Sequence, residues 1–172
     1  MKDAEWLAEL LEHGLLRGSF VPPAAIRELR DLTRYRKRLI QTHTSKAQRI
    51  AKTLEDAGVR LGSVASDILG LSGRAMLVAL IAGERNPDVL AELARGRLRS
   101  KRAELREALR GRFTAHHALL VRLALEHVEQ LERSIETLDA VVDWVIAPFA
   151  RARDHLDTIT GVGKRTAGCI IA

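Results

Sequence analysis

The residue types that could do chemistry in this chain are glycines beside cations, and the chemistry they suit is the holding of phosphate. Near the end, Gly161-Val162-Gly163 is followed at once by Lys164 and Arg165. Glycines let a backbone turn tightly and approach an anion, a helix starting behind them offers free N–H groups, and two cations add charge. Leu156, Ile159, Val162, Ala167 and Ile170 are spaced to make a small core for two short helices flanking that turn. An ordinary glycine-rich turn between helices is the alternative. A second set lies upstream. Arg27, Arg30, Arg34, Lys37, Gln41, Thr44, Gln48 and Lys52 follow one another at three or four residues, so they share one helix face. Such a stripe can track a phosphate backbone. A solvated face is its other reading, although Glu28 and Asp31 are the only acids between Arg27 and Lys52.

Bond-making chemistry has no comparable signal. His13, His43, His116, His117, His127 and His155 include no pair four residues apart, and no Cys/His set has zinc-finger spacing, so no metal is expected in this chain alone. The serines sit in no nucleophile elbow. Cys169 is the only cysteine and cannot form an internal disulfide; it is expected to be buried packing. With one tyrosine, two tryptophans and three phenylalanines, stacking of bases on an aromatic platform is not expected.

The elements that must position these groups are long helices. No glycine occurs between Gly18 and Gly58, or between Gly111 and Gly161. Pro22 and Pro23 open the first tract and Gly58 stops it, which predicts one helix over Ala24–Ala57, about 50 Å long at 1.5 Å per residue. In the second tract, His117, Val121, Ala124, Val128, Leu131, Ile135, Leu138, Val142 and Val145 alternate in steps of four and three. That is a heptad seam, the pattern of a coiled coil, and Pro148 ends it. Its partner is either the first long helix or a second copy of the chain. An apolar stripe of this length calls for a cover, so a homo-oligomer through 117–145 is expected. Gly62, Gly70, Gly73 and Gly83 are expected to break the segment from Val59 to Glu84 into small pieces, and Asn86-Pro87-Asp88 opens another helix. No stretch alternates with period two. The predicted class is all-α: long helices with a coiled-coil seam, short connecting helices, and a C-terminal helix-hairpin-helix.

The chain has 172 residues, 47% of them hydrophobic, and a net charge of +6, enough for one domain or two small ones. No apolar run approaches the roughly 20 residues of a bilayer span, so no membrane partner is expected. The acidic, amphipathic opening is unlike a signal peptide, and the single cysteine suits the cytoplasm. Charge is unevenly placed. Arg27 to Lys52 carries nine Lys/Arg against two acids, Arg95 to Arg112 eight against two, and the remainder is net acidic. Two basic segments on an acidic chain suit a polyanion.

The order of segments resembles a known family. Asp3-Ala4, Leu7-Ala8-Glu9-Leu10-Leu11, Gly14-Leu15-Leu16, Phe20-Val21-Pro22-Pro23 and Glu28-Leu29-Arg30-Asp31-Leu32-Thr33-Arg34-Tyr35-Arg36 are similar to the middle of DEDD-type insertion-sequence transposases. These are the relatives of the Piv invertase that include bridge-RNA-guided recombinases. Leu54-Glu55-Asp56-Ala57-Gly58-Val59, the stretch from Ser63 to Arg74 and the terminal hairpin continue the resemblance. The hairpin itself resembles the helix-hairpin-helix of DNA-handling proteins, which implies nucleic-acid contact at Gly161, Gly163, Lys164 and Arg165 beside the stripe residues Arg27, Arg30, Arg34, Lys37 and Lys52.

By that resemblance, residues 1–20 are the last helix of a RuvC-like catalytic domain, 21–150 a helical coiled-coil insert, and 151–172 the start of the C-terminal transposase domain. Asp3 matches the last acid of a metal-binding tetrad; an acid stabilising the first turn of a helix is its plainer role. The other three acids would precede Met1 and the catalytic serine would follow Ala172. Mg2+ is thus implied for an intact member and no cofactor for this chain. Relatives often carry a small aliphatic residue such as valine at the position of Met1, and a GUG codon can be read as a start, so the chain is expected to be an internal piece of a transposase gene, either a decayed copy or a mis-called reading frame. The function implied is DNA transposition and recombination, with binding of DNA, and of a structured guide RNA in guided members, and assembly of subunits. The alternatives are a non-catalytic nucleic-acid-binding regulator or an inert truncated product.

Overall fold

Proline and glycine set the ends of the long helices. The computed structural model describes residues 2–16 and 21–172; Met1 and Phe20, which entered the family resemblance, lie outside them. Helix α1 spans Lys2–Glu12, and α2 spans Ala24–Asp56 directly behind Pro22-Pro23. Gly58 closes α2 in the left-handed region at φ +76°. Helix α7 runs Ala115–Val145, stops three residues before Pro148, and gives way to a 3-10 turn, Ala147–Phe149. Among the described residues there is no strand, and the class is all-α.

Short helices lie between them: α3 (Leu61–Val64), α4 (Leu71–Ile81), α5 (Pro87–Glu92), a 3-10 turn (Gly96–Lys101) and α6 (Arg102–Ala108). Asn86 caps α5 as its sequence predicts, its side chain accepting the Asp88 N–H at 2.9 Å with Pro87 in the first turn. The expected breaks at Gly62 and Gly73 do not occur, because both glycines lie inside helices. Gly73 serves close approach instead. A Cβ there would stand 2.2 Å from the Ile68 carbonyl oxygen, so α4 can pass that loop only without a side chain.

The two long helices pack against each other, and the pairing is antiparallel. Arg36 meets Asp139, and His43 meets Glu132 one heptad later. Every residue of the α7 seam is buried or half-buried. Its partner within this chain is α2, so exposure of the seam no longer argues for a second copy. On α2 the facing positions are Leu29, Leu32, Arg36, Leu39, His43, Lys46, Ile50 and Leu54, also buried or half-buried. They repeat at three and four residues, but polar side chains interrupt the repeat.

The core gathers at one end of this pair. Ile50 and Leu54 of α2 join Met76, Leu77 and Leu80 of α4, Leu90 of α5, Leu105 of α6, and Val121, Leu125 and Val128 of α7. Two loops seal it where the Arg112 N–H donates to the Ala57 carbonyl at 2.6 Å and the Arg60 N–H to that of Ala108 at 2.7 Å. At the other end, α8 (Ala150–Asp157) and α9 (Lys164–Ile171) fold back as a hairpin through Gly161, at φ +88°. Ala167 and Gly168 are buried there, with Gly168 against Ile146. The small core expected for the hairpin is only half present, since Ile159 and Ile170 are both more than half exposed.

Candidate functional site

The N-terminal half of α2 turns its basic stripe outward. The seam takes α2 residues with partners on α7, and the stripe falls on the face left over. Arg27, Arg34, Lys37 and Lys52 are exposed and Arg30 is half-buried. What the sequence does not show is that the returning α9 comes alongside this face. Arg30, Arg34 and Lys37 of α2 thereby line one cleft with Lys164 and Arg165, more than 120 residues later. The cleft encloses about 620 Å³. Ile40, Val142 and Ile146 give it an apolar wall. Of the other sequence candidates, Arg27, Lys52, Gly161 and Gly163 do not line it.

Two arginines and two acids complete the charged lining: Arg36 and Arg153, Asp139 and Asp143. The cleft thus carries seven cations against two carboxylates, a local excess of +5 counted over its lining side chains. Asp139 is the junction. It accepts hydrogen bonds from Arg36 Nε, from Arg36 Nη2 at 3.2 Å and from Arg165 Nη2 at 3.1 Å, so it ties α2, α7 and α9 together. The Arg36 hydrogen bond holds its carboxyl below the usual carboxylate range, against the opposing effect of burial. Arg36 is raised above its ordinary value by the same bond. Arg30 Nε donates to the carbonyl of Ala172 and pins the end of α9.

These ties leave Arg34, Lys37 and Lys164 without an ion-pair partner among the described residues. Arg153 Nε is a buried donor with no hydrogen-bond acceptor, although Asp154 lies 3.5 Å away. A concave surface with unpaired cations and an unmet donor can hold an anion. Cys169, expected as buried packing, is exposed on the wall of this cleft. The turn of α9 that buries Ala167, and Gly168 against Ile146, rotates its neighbour outward. Arg36 and Arg153 were missed as site residues. Arg36 belongs to the interhelix seam rather than to the stripe, and only the fold brings α8 alongside.

Asp3 is exposed in the first turn of α1. Among the described residues no group of three or more His, Cys, Asp or Glu side chains is placed to hold a metal ion. One carboxylate does not fit the tetrad that Mg2+ would need, so no metal-dependent step is assigned to these residues. No helix of the described residues is long and apolar enough to cross a membrane.

No curated protein and no solved structure matches the chain. The family model DEDD_Tnp_IS110, a transposase family, matches residues 1–58. The downstream segments and the hairpin lie beyond that match. Over its first third, to the end of α2, the chain is similar to DEDD-type transposases.

Proposed function

We propose that the chain is the nucleic-acid-binding part of a transposase, and that the cleft between α2, α7 and α9 holds a phosphodiester backbone of DNA. One observation carries the reading: Arg30, Arg34 and Lys37 meet Lys164 and Arg165 in a single concavity. Exposed cations scattered on a helix are worth little singly, whereas several along one phosphate track release condensed counterions together. The division into a remnant of the catalytic domain (1–20), a helical insert (21–150) and the entrance to a C-terminal domain (151–172) belongs to this proposal. In it the last two units form the two walls of the cleft. A guide RNA presents the same backbone chemistry and would occupy the same cleft. Self-association through 117–145 would have to use the outer face of α7, where Leu119, Leu120 and Leu123 are exposed, because the seam faces α2.

The test is the salt dependence of binding. Gln at Arg34 and Lys37 preserves helix propensity and touches no ion pair. The double variant is expected to lower the log-log salt slope for duplex DNA by about 1.8, at about 0.9 per phosphate contact. Gln at Lys52, outside the cleft, is expected to change it less. A slope unmoved by the double variant removes the cleft from the nucleic-acid path.

A further inference from the structure

The second basic segment, Arg95 to Arg112, is not one surface. In the fold it divides. Arg102 pairs with Glu92 at 2.9 Å, Arg106 with Asp88 at 2.8 Å and Arg110 with Glu107 at 3.4 Å. The first two fasten α6 to α5, so these cations are already used. Arg95, Arg97, Arg99 and Lys101 are exposed and take part in no salt bridge among the described residues.

We infer that the turn Arg95–Lys101 is a second binding site for a nucleic-acid backbone, separate from the cleft. The turn is held at a fixed geometry. Leu98 at its centre packs against the core, the Arg95 N–H donates to Ser72 Oγ at 2.8 Å, and Ser100 Oγ donates to the Arg97 carbonyl at 2.9 Å. Along the 3-10 turn Arg97, Arg99 and Lys101 lie within roughly 8 Å at about 2.0 Å per residue, and at three residues per turn they point to different sides, so a backbone would have to wrap the turn to meet them together with Arg95, which precedes it. Beside it lies a hollow of about 300 Å³ between the turn and the Ala65–Gly73 loop. Asp67 is the one acid lining that hollow, and its Oδ1 already accepts the Leu69 N–H at 2.9 Å.

A backbone polyanion suits this surface better than a single acidic side chain or a lipid bilayer. Exposed ion pairs formed one at a time gain little. Membrane anchoring wants an apolar face as well as charge, and Leu71 is the single large, strongly exposed apolar side chain beside the hollow. The site shares no residue with the cleft, so the two would act additively.

The experiment measures binding of the full chain to a mixed-sequence DNA duplex and to an RNA hairpin as KCl is raised, with circular dichroism confirming that each variant is folded. The variant carries Arg95→Gln, Arg97→Gln, Arg99→Gln and Lys101→Gln together. Its salt slope is expected to fall by about 3, with affinity at low salt down at least tenfold, for one or both ligands. The same decrement in log affinity is expected in a chain that also carries Arg34→Gln and Lys37→Gln, since the sites are independent. Unchanged slope and affinity for both ligands, while the cleft variant weakens them, would overturn this site and leave the cleft standing. Loss through the turn variant alone would support this site and overturn the cleft. Binding of phosphatidylserine vesicles or poly-glutamate that weakens with these four substitutions, while duplex and hairpin binding does not, would assign the turn to another partner and overturn the inference. A wild-type chain that binds neither nucleic acid would overturn both sites.

Discussion

The two ends of the α2–α7 pair are built from the same helices and do opposite things. At one end Ile50 and Leu54 face Val121, Leu125 and Val128, and α4, α5 and α6 close over them. At the other, Arg36 faces Asp139, the α8–α9 hairpin packs alongside, and an open cleft of about 620 Å³ remains. The seam is mostly apolar at both ends, with Leu29 buried at the cleft end, but there the Arg36–Asp139 pair interrupts it. Apolar side chains exclude water and draw further helices onto themselves, whereas a partly buried ion pair keeps its region hydrated and limits how closely neighbours can pack. One helix pair thus supplies both an anchor and a cationic surface.

Packing substitutions give the largest expected contrast. Leu54→Ala at the core end should cost about 2 to 5 kcal/mol, because it removes apolar burial and leaves a cavity. Ile40→Ala on the cleft wall, where 37% of the residue is already exposed, should cost less than about 1 kcal/mol. Urea unfolding of the two variants measures both. Equal losses would mean that the cleft end is packed as tightly as the core.

Acid separates the ends next. Asp139 is depressed in the fold, so its contribution is fully present above its unfolded value, near 3.8, and is lost as pH falls through the lower folded value. The pair is partly solvated, so the effect should be of order 1 kcal/mol or less. The protection factors of the Ala167 and Gly168 amides on α9, with the intrinsic pH dependence of exchange divided out, should therefore fall between pH 4 and pH 2 by about tenfold or less, a range set by that energy. Amides of α4 should be affected less. In Asp139→Asn this acid-dependent step should disappear. If α9 loosens identically in that variant, other carboxylates hold the hairpin.

The smallest effect is expected where the ion pairs lie outside both regions. Arg110→Gln removes a pair with Glu107 in which both side chains are about two-thirds exposed. Its cost should be a few tenths of a kcal/mol, within the range of helical surface pairs. A loss rivalling that of Leu54→Ala would show that surface charge stabilises the fold as strongly as core packing does.

The helix bounds and the α7 seam are legible in the chain because they rest on local rules. Proline cannot continue a helix, glycine accepts a left-handed turn, and steps of three and four put apolar side chains on one face. The matching seam on α2 is harder to read. Arg36, His43 and Lys46 stand at positions where apolar residues would mark it, so its residues look like part of the charged stripe. Likewise Gly73 looks like a break until Ile68 is seen against it.

Sequence alone therefore determined that the chain is helical, where its long helices end, which face of α7 is covered, and that cations gather in two segments. Tertiary structure decided which cations remain available. It paired Arg36 with Asp139, and Arg102 and Arg106 with the acids of α5, and left Arg34, Lys37 and the turn at Arg95–Lys101 outward. It also carried Lys164 and Arg165 back to α2. Helix propensity and periodicity act over a few neighbouring residues, while the pairing of charges depends on distances between segments that only the packed core sets.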